Sequence, residues 1–112
     1  MLGGLSNLSN MAKIVKEAGR LKEQIEQLQN DLAERTVEAS SGGGMVTVKV
    51  NGRQEVMSVE IDDEIVGHAD REMIQDLVAA ACNAALERSR EMAREEMAKL
   101  TGGLGIDLPG IM

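Results

Sequence analysis

Residues 40–61 read SSGGGMVTVKVNGRQEVMSVEI, and this stretch decides the fold. Its first half alternates valines with polar or longer side chains, a period of two that is typical of a β-strand with one buried face. The buried face would carry Val46, Val48 and Val50, and the other face polar residues such as Thr47. The stretch therefore predicts an antiparallel sheet that is covered on one side only.

The dipeptide Asn51-Gly52 ends this first strand. Because both residue types tolerate positive φ angles, the pair predicts a two-residue type I′ turn. Such a turn would place Val46 across from Met57. In that register three apolar residues of the following strand share the face of the valines: Met57, Val59 and Ile61.

Three consecutive glycines, residues 42–44, predict a second reversal of the chain, with a strand over residues 36–41 before it. A four-residue loop over 41–44 would put Val37 and Ala39 on the valine face, whereas a three-residue loop would put them on the opposite face. The sequence leaves both registers open. It does not predict a phosphate-binding loop, because no Lys-Ser or Lys-Thr follows the glycines and the next element is a strand.

The segment before the sheet has the pattern of a long amphipathic helix that ends near Arg35. Apolar residues recur there at alternating spacings of three and four, which is an a/d seam sustained for three heptads. The seam of helix 1 consists of Met11, Ile14, Ala18, Leu21, Ile25, Leu28 and Leu32. Residues 1–10 are rich in Gly, Ser and Asn and predict a flexible lead-in. Ser6, Ser9 or Asn10 would then cap the helix.

A second long helix follows the sheet. Asp70 is a suitable N-cap for it, and residues 62–69 before it predict a turn or a short helical piece. The helix would end near Leu100, with Gly102 at its C′ position. Its apolar face and the flanking positions consist of Ile74, Leu77, Val78, Ala81, Cys82, Ala84, Ala85 and Met92. Residues 101–112 predict a flexible tail that contains several glycines and one proline.

The composition describes a single aliphatic domain over residues 1–112, of which 43% are apolar and none is Phe, Tyr or Trp. Without aromatic side chains the chain lacks the stacking platforms of single-strand and base-specific RNA binding. Its one cysteine, Cys82, cannot form an intramolecular disulfide, and no signal peptide or membrane-spanning run is visible, so we expect a cytoplasmic protein. The net charge of −7 arises mainly in residues 54–76, which leaves the flanking helical segments near neutral.

The order of long helix, three-stranded antiparallel sheet and long helix belongs to the α+β class. Each helix of about 30 residues is about 45 Å long, whereas a compact chain of this length is roughly 35 Å across. The seam of helix 1 then needs helix 2 or a second copy of the chain as its partner, and a three-stranded sheet has two open edges. We expect an obligate homodimer in which paired helical arms rise from a shared β platform.

Three parts of the sequence stand out together: GGGMVTVKVNG at 42–52, VEID at 59–62 and DLVAAACNAA at 76–85. In this order and spacing they resemble the YbaB/EbfC family of bacterial nucleoid-associated proteins. The seam of helix 1 and the tail are similar too, so the resemblance covers nearly the whole chain. Cys82 departs from the family pattern, in which an aromatic residue is common at this place. We expect this departure to weaken packing and to leave function unchanged.

The resemblance implies an α-β-β-β-α protomer and a tweezer-like homodimer that binds double-stranded DNA in the nucleoid. It implies no enzymatic activity, and a role in gene regulation is commonly proposed for the family. The residues themselves also indicate no enzymatic activity, because the sequence contains no nucleophile–base pair, metal-ligand cluster or cofactor motif. His68 has no partner for a catalytic or metal site, and residues 62–64 have the composition of an acidic turn without the spacing of an EF-hand.

The most basic window of the chain, residues 13–22, supplies the first candidates for DNA contact. This basic window contains Lys13, Lys16, Arg20 and Lys22. The first three form a strip on the side of the helix opposite its seam, where two copies on a dimer would straddle a phosphate backbone. The alternative is an ordinary solvated helix face.

Helix 2 offers a second group of candidates, Arg90 and Arg94, which point away from its apolar face. Glutamates interleave these arginines, so the alternative is solvated intrahelical pairing, worth a few tenths of a kcal/mol for each pair. Arg88 lies nearer the apolar face and is a candidate for an interface contact instead.

The expected function is a nucleoid-associated homodimer that binds duplex DNA through phosphate contacts with weak sequence preference. It would thereby influence nucleoid organisation and gene expression. The alternative is an acidic dimeric adaptor or chaperone that holds a protein partner in the groove between its arms. The net charge of −7 favours the alternative, and the family resemblance favours DNA binding.

Overall fold

The computed structural model describes residues 2–67 and 70–102, with side chains from residue 8 onward. The elements are helix α1 (Leu2–Glu34), strands β1 (Thr36–Ser41), β2 (Val46–Asn51) and β3 (Val56–Ile61), the short helix α2 (Asp63–Gly67) and helix α3 (Arg71–Gly102). The strands form one antiparallel sheet in the order β1-β2-β3. This is the predicted α+β arrangement, with α2 as the predicted short helical piece.

The molecule is a rod, with a radius of gyration of 21.5 Å and extents of 81 × 21 × 19 Å. A compact chain of this length would have a radius of gyration of about 13 Å. The prediction that the long helices extend beyond the sheet is therefore confirmed. Within the part of the chain that the structure describes, no helix combines the length and the apolar character that a lipid bilayer demands of a spanning segment.

The β2–β3 hairpin has a different loop and register from the predicted ones. Val46 pairs with Ile61, not with Met57. Asn51 N–H donates to Glu55 O at 3.0 Å, and Gln54 N–H donates to Asn51 O at 3.1 Å. Gln54 has a φ of 64°, whereas neither Asn51 nor Gly52 has a positive φ. The two-residue type I′ turn was wrong: the loop has three residues, and its last one is left-handed.

The observed register differs from the predicted one by four residues along most of β3, which is an even number. Val59 therefore lies on the valine face, as predicted, although its partner there is Val48. A bulge between Lys49 and Val50 then changes the register by one, so that Val56 lies across from Val50. Val56, and not Met57, completes the apolar face of β3 at this end.

The β1–β2 loop is the four-residue alternative, displaced by one residue to 42–45, because Ser41 pairs with Val46. Its three glycines take φ angles of 62°, 68° and 96°, which side chains rarely tolerate. This register places Val37 and Ala39 on the valine face, and Ala39 is buried.

Helix α3 covers the valine face at β1 and β2. The core consists of Ala39, Val46, Val48, Val50, Ala81 and Ala85, with Val37, Leu77, Val78, Cys82 and Leu86 packed against it. The small side chains of Ala81 and Ala85 allow the helix to approach the sheet closely. Asp70 caps the helix, since its Oδ1 accepts from Met73 N–H at 3.1 Å. The helix runs to Gly102, two residues past the predicted end.

Helix α1 begins at Leu2, so residues 2–10 are helical where the sequence predicted a lead-in. Ser6, Ser9 and Asn10 thus lie inside the helix and do not cap it. Of the predicted seam, Leu32 is buried, while Leu21, Ile25 and Leu28 are half-buried. The other seam residues, Met11, Ile14 and Ala18, are exposed.

Candidate nucleic-acid interface

The residues of the basic window lie on the part of α1 that extends beyond the rest of the fold. All four cations are exposed, and no ion pair within the described residues involves any of them. Glu17 is the one acidic residue between Lys13 and Lys22, a span of about 14 Å along the helix. The arm thus presents a positive surface that no ion pair among the described residues neutralises.

The other side of the same arm is apolar and uncovered. We call this set the arm stripe, and it consists of Leu8, Met11, Ile14 and Val15, which are 60% to 70% exposed. At 100° per residue the stripe lies opposite Lys13, Lys16 and Arg20. The outer half of α1 is therefore an amphipathic rod with both faces accessible in one protomer.

The second predicted group, on α3, is partly neutralised. Arg90 Nη2 lies 2.7 Å from Glu87 Oε2, which is the intrahelical pairing that the sequence offered as the alternative. The hydrogen bond from Arg90, aided by its charge and that of Arg94, lowers the pKa of Glu87. Arg94 is exposed and has no ion pair with another described residue, which leaves it the more available cation of this group.

The structure does not bring the two basic groups together within one chain. Arg35, at the end of α1, lies 3.0 Å from Glu96 of α3, so Arg94 is near the inner end of α1. Lys16 is 19 residues earlier on α1, which corresponds to about 28 Å along the helix axis. The basic window and the α3 arginines are thus separate surfaces of one protomer.

Arg88 contacts another element of the same chain: it joins helix α3 to strand β1. Its Nη1 donates a hydrogen bond to Glu38 O at 2.6 Å, a carbonyl of the edge strand β1. The sequence placed Arg88 correctly near the apolar face of the helix and could not identify a partner 50 residues away. The contact occupies one acceptor on the open edge of β1.

Arg35 joins the two long helices, a role that the sequence did not predict. Glu96 accepts from Arg35 at 3.0 Å and from Lys99 at 3.1 Å, and these two hydrogen bonds lower its pKa. Lys99 lies at a helical spacing from Glu96 that a sequence can show. Arg35 lies 61 positions before Glu96, so no local pattern marks the pair.

Strand β3 presents an apolar surface that nothing in the described part of the protomer covers. All six residues of the strand are exposed. The β3 surface consists of Val56, Val59 and Ile61, which are 36% to 48% exposed. Val59 and Ile61 lie across from fully buried Val48 and Val46, so the surface continues the core face of the sheet. Helix α3 leaves it exposed because the helix packs mainly on β1 and β2.

No group of three or more His, Cys, Asp or Glu side chains is placed to hold a metal ion among the residues described. Asp62, in the acidic turn, has a structural role instead, because its Oδ1 accepts from Glu64 N–H at 2.9 Å at the start of α2. His68 lies outside the described residues.

Comparison with known proteins places this geometry in context. The model of the YbaB/EbfC DNA-binding family matches residues 7–104. A nucleoid-associated protein of Moorella thermoacetica is 50% identical over 103 residues, covering 92% of this chain and 97% of that protein. A nucleoid-associated protein of Syntrophobacter fumaroxidans is 49% identical over 100 residues, covering 87% of this chain and 91% of that protein.

A solved structure has the same fold. The uncharacterized protein HP0035 from Helicobacter pylori matches with a TM-score of 0.66 at 28% identity, covering 76% of this chain and 88% of that one. The matched family is a DNA-binding family, and the relatives are nucleoid-associated proteins. Neither description is enzymatic, which agrees with the expectation from the sequence that this protein is not an enzyme. The chain belongs to the YbaB/EbfC DNA-binding family.

Proposed function

We propose that this protein is a nucleoid-associated homodimer that binds double-stranded DNA through the basic windows of its two arms. The observation that carries the proposal is the exposed, unneutralised set of cations at residues 13–22 on a helix that extends beyond the fold. Family membership supports the choice of DNA as the partner.

The contact would be made to phosphates. Lysine and arginine on a straight helix face can follow a phosphate backbone, and the chain has no aromatic side chain to insert between base steps. Three or four cations from each of two protomers give a slope of roughly −6 in log K against log salt. Binding of this kind has weak sequence preference, and it would influence nucleoid organisation and gene expression by occupying DNA at many sites.

The β3 surface supports the homodimer. It combines an open strand edge with an apolar face, and proteins seldom leave either without cover. The opposite edge of the sheet is less open, because Arg88 occupies the Glu38 carbonyl. A second copy seated on β3 would bury both the edge and the face, and would place two arms on one β platform.

The arm stripe favours a second candidate function, a dimeric adaptor that holds a protein partner against its arms. Leu8, Met11, Ile14 and Val15 would supply apolar contacts to a partner helix. Binding through these contacts would change little with salt, whereas binding through phosphates would weaken steeply.

A mobility-shift titration with two unrelated duplexes tests the proposal. We expect wild-type affinity to fall by about 3.6 orders of magnitude between 50 and 200 mM salt and to be similar for both duplexes. The variant Lys16→Glu with Arg20→Glu should bind at least about tenfold more weakly at 100 mM salt. Arg53→Glu with Arg71→Glu is the matched control, since both of its sites are exposed and the charge change is the same.

Two outcomes would contradict different parts of the proposal. Wild-type binding that is absent, or insensitive to salt, would refute phosphate-driven DNA binding. Steep salt dependence with equal affinities for the two double variants would keep DNA as the partner and refute the basic window as the contact surface.

A further inference from the structure

The arm stripe extends farther to one side of the helix seam than to the other. Met11 and Ile14 occupy a and d positions of the seam, and Leu8 and Val15 both lie at e positions, on one flank of it. All four side chains are exposed in the protomer. A contiguous apolar surface on a helix is a site at which another helix can pack.

The other flank of the seam is polar. Its g positions carry Asn10 and Glu17, and both residues are exposed. A helix that covers the stripe must therefore present an apolar border to Leu8 and Val15 and a polar border to Asn10 and Glu17. The same stretch of a second copy of this chain has both borders.

The orientation of the second copy decides which borders meet. In a parallel pair of helices the e positions of one helix face the g positions of the other, so Val15 would lie beside Asn10. Reversing one helix exchanges its two sides, so in an antiparallel pair e faces e and g faces g. Leu8 then lies beside Val15, and Asn10 lies beside Glu17. Only the antiparallel pair joins the apolar borders without burying a polar side chain against them.

One antiparallel register brings all four apolar side chains together. It places Met11 against Ile14 of the second copy and Ile14 against Met11, as a two-fold axis requires. Leu8 and Val15 of the second copy are then two residues apart in level, which is about 3 Å along the helix axis. The stripe is therefore complementary to itself when one copy is reversed.

The same register leaves room for the rest of the protein. Leu2 lies level with Glu23 of the second copy, which is 12 residues before Arg35. The overlap of the two helices thus stops about 18 Å short of Arg35, where α1 is joined to α3 through Glu96.

The contact is small. Four apolar side chains from each copy are far fewer than the roughly 20 residues that a stable interface uses on each side. Pairing through the stripe is therefore weak between free copies and becomes strong where copies are held close to each other.

We propose that the arm stripe binds the arm stripe of a second copy of this chain in antiparallel orientation, with Met11 against Ile14. The basic residues Lys13, Lys16 and Arg20 lie on the opposite side of each helix, so they stay on the outer surfaces of the pair. The contact uses neither the β3 surface nor the basic window and depends on neither of them.

Disulfide trapping in the full-length chain tests the proposal. In a Cys82→Ala background, Met11→Cys and Ile14→Cys proteins are refolded together in equal amounts and oxidised mildly. In the proposed register these two positions share a layer, whereas two copies of either position are about 4.5 Å apart along the axis. We expect the mixed disulfide to form at least about fivefold faster than either symmetric one, where random pairing would give about twofold.

The matched control is a mixture of Lys13→Cys and Lys16→Cys, which has the same spacing on the opposite side of the helix. It should form disulfides at least about fivefold more slowly than the stripe mixture. Val15→Ser, added to both stripe proteins, should slow the mixed disulfide severalfold because the apolar border is lost. Asn10→Ser, on the polar border, should change the rate by less than about twofold.

The masses of the oxidised products decide between the arrangements, because the two stripe variants differ in mass. An excess of the mixed disulfide that Val15→Ser reduces supports the proposal. Symmetric disulfides as the main products would overturn it, since they would show parallel arms. Rates equal to those of the lysine control would also overturn it, because the stripe would then not bind a second copy.

Discussion

At the scale of single residues, Asn51 and Gly52 do more than turn the chain. The Asn51 amide is buried, accepting from Arg53 N–H and Glu55 N–H at 3.0 Å each and donating to Ala33 O at 3.2 Å. Gly52 N–H donates to Leu32 O at 2.8 Å. Together the two residues fasten the β2–β3 hairpin to the last turn of α1.

Gly52 is required here for space and not for a positive φ. A Cβ at this position would lie 2.8 Å from Leu32 Cβ and 2.8 Å from the Leu32 carbonyl oxygen. Because the carbonyl belongs to a hydrogen-bonded helix end, it cannot move away easily. We expect Gly52→Ala to destabilise the protein by about 2–3 kcal/mol, measured by chemical denaturation.

Gly19→Ala is the control for this prediction. Gly19 lies inside α1 with no atom within 4 Å of an added Cβ, so the same substitution should raise helix stability by about 1 kcal/mol or less. If Gly52→Ala were as stable as wild type, the close packing of the hairpin against α1 would be refuted.

At the scale of elements, α1 is tied to α3 near its inner end. Glu96 accepts hydrogen bonds from Arg35, which follows α1, and from Lys99 on its own helix, and both lower its pKa from the ordinary value of 4.5. Glu96 therefore binds its proton more weakly in the folded state than in the unfolded state. The stabilisation is complete well above pH 4.5 and is lost as the pH falls through the lowered pKa.

Glu96→Gln should accordingly lower the melting temperature at pH 7 by a few degrees at most, since the pair is close to solvent. The difference from wild type should shrink as the pH approaches 3, because wild-type Glu96 is then protonated. Melting curves at several pH values measure this effect. The exposed Glu95→Gln is the control, and equal behaviour of the two variants would show that the ion pair does not stabilise the contact between the helices.

At the scale of the whole molecule, the open edge and apolar face of β3 predict the association of two chains. Analytical ultracentrifugation at low micromolar concentration should give about 24 kDa for wild type, twice the chain mass of 12.0 kDa. Val59→Lys places a charge in the middle of the β3 surface and should shift the protein to about 12 kDa, since an unpaired buried charge costs several kcal/mol.

Ser58→Lys provides the comparison, because Ser58 lies across from Lys49 on the polar face of the same strand. If Val59→Lys dimerised as strongly as Ser58→Lys, the apolar face of β3 would not be the dimer interface. A folded wild-type monomer would contradict the homodimer itself.

Several features followed from the sequence alone. The period-two valines, the a/d seam and the acidic cap at Asp70 are local patterns, and each correctly predicted its element. The sequence likewise placed the basic window on an exposed helix, because opposite faces of a helix can be read from spacing. Family membership also follows from the order and spacing of short motifs.

Features that depend on contacts between residues far apart in the sequence were determined only by the tertiary structure. The hairpin register differs from the predicted one. Asn51 and Gly52 form hydrogen bonds with the end of α1, and local sequence propensity does not predict that contact. Helix α1 starts at Leu2 in spite of its Gly- and Ser-rich sequence, so the predicted caps lie inside it. The exposed β3 surface arises because α3 packs mainly on the other two strands. A sequence specifies which residues are apolar, but only the packing of the elements determines which of them remain uncovered.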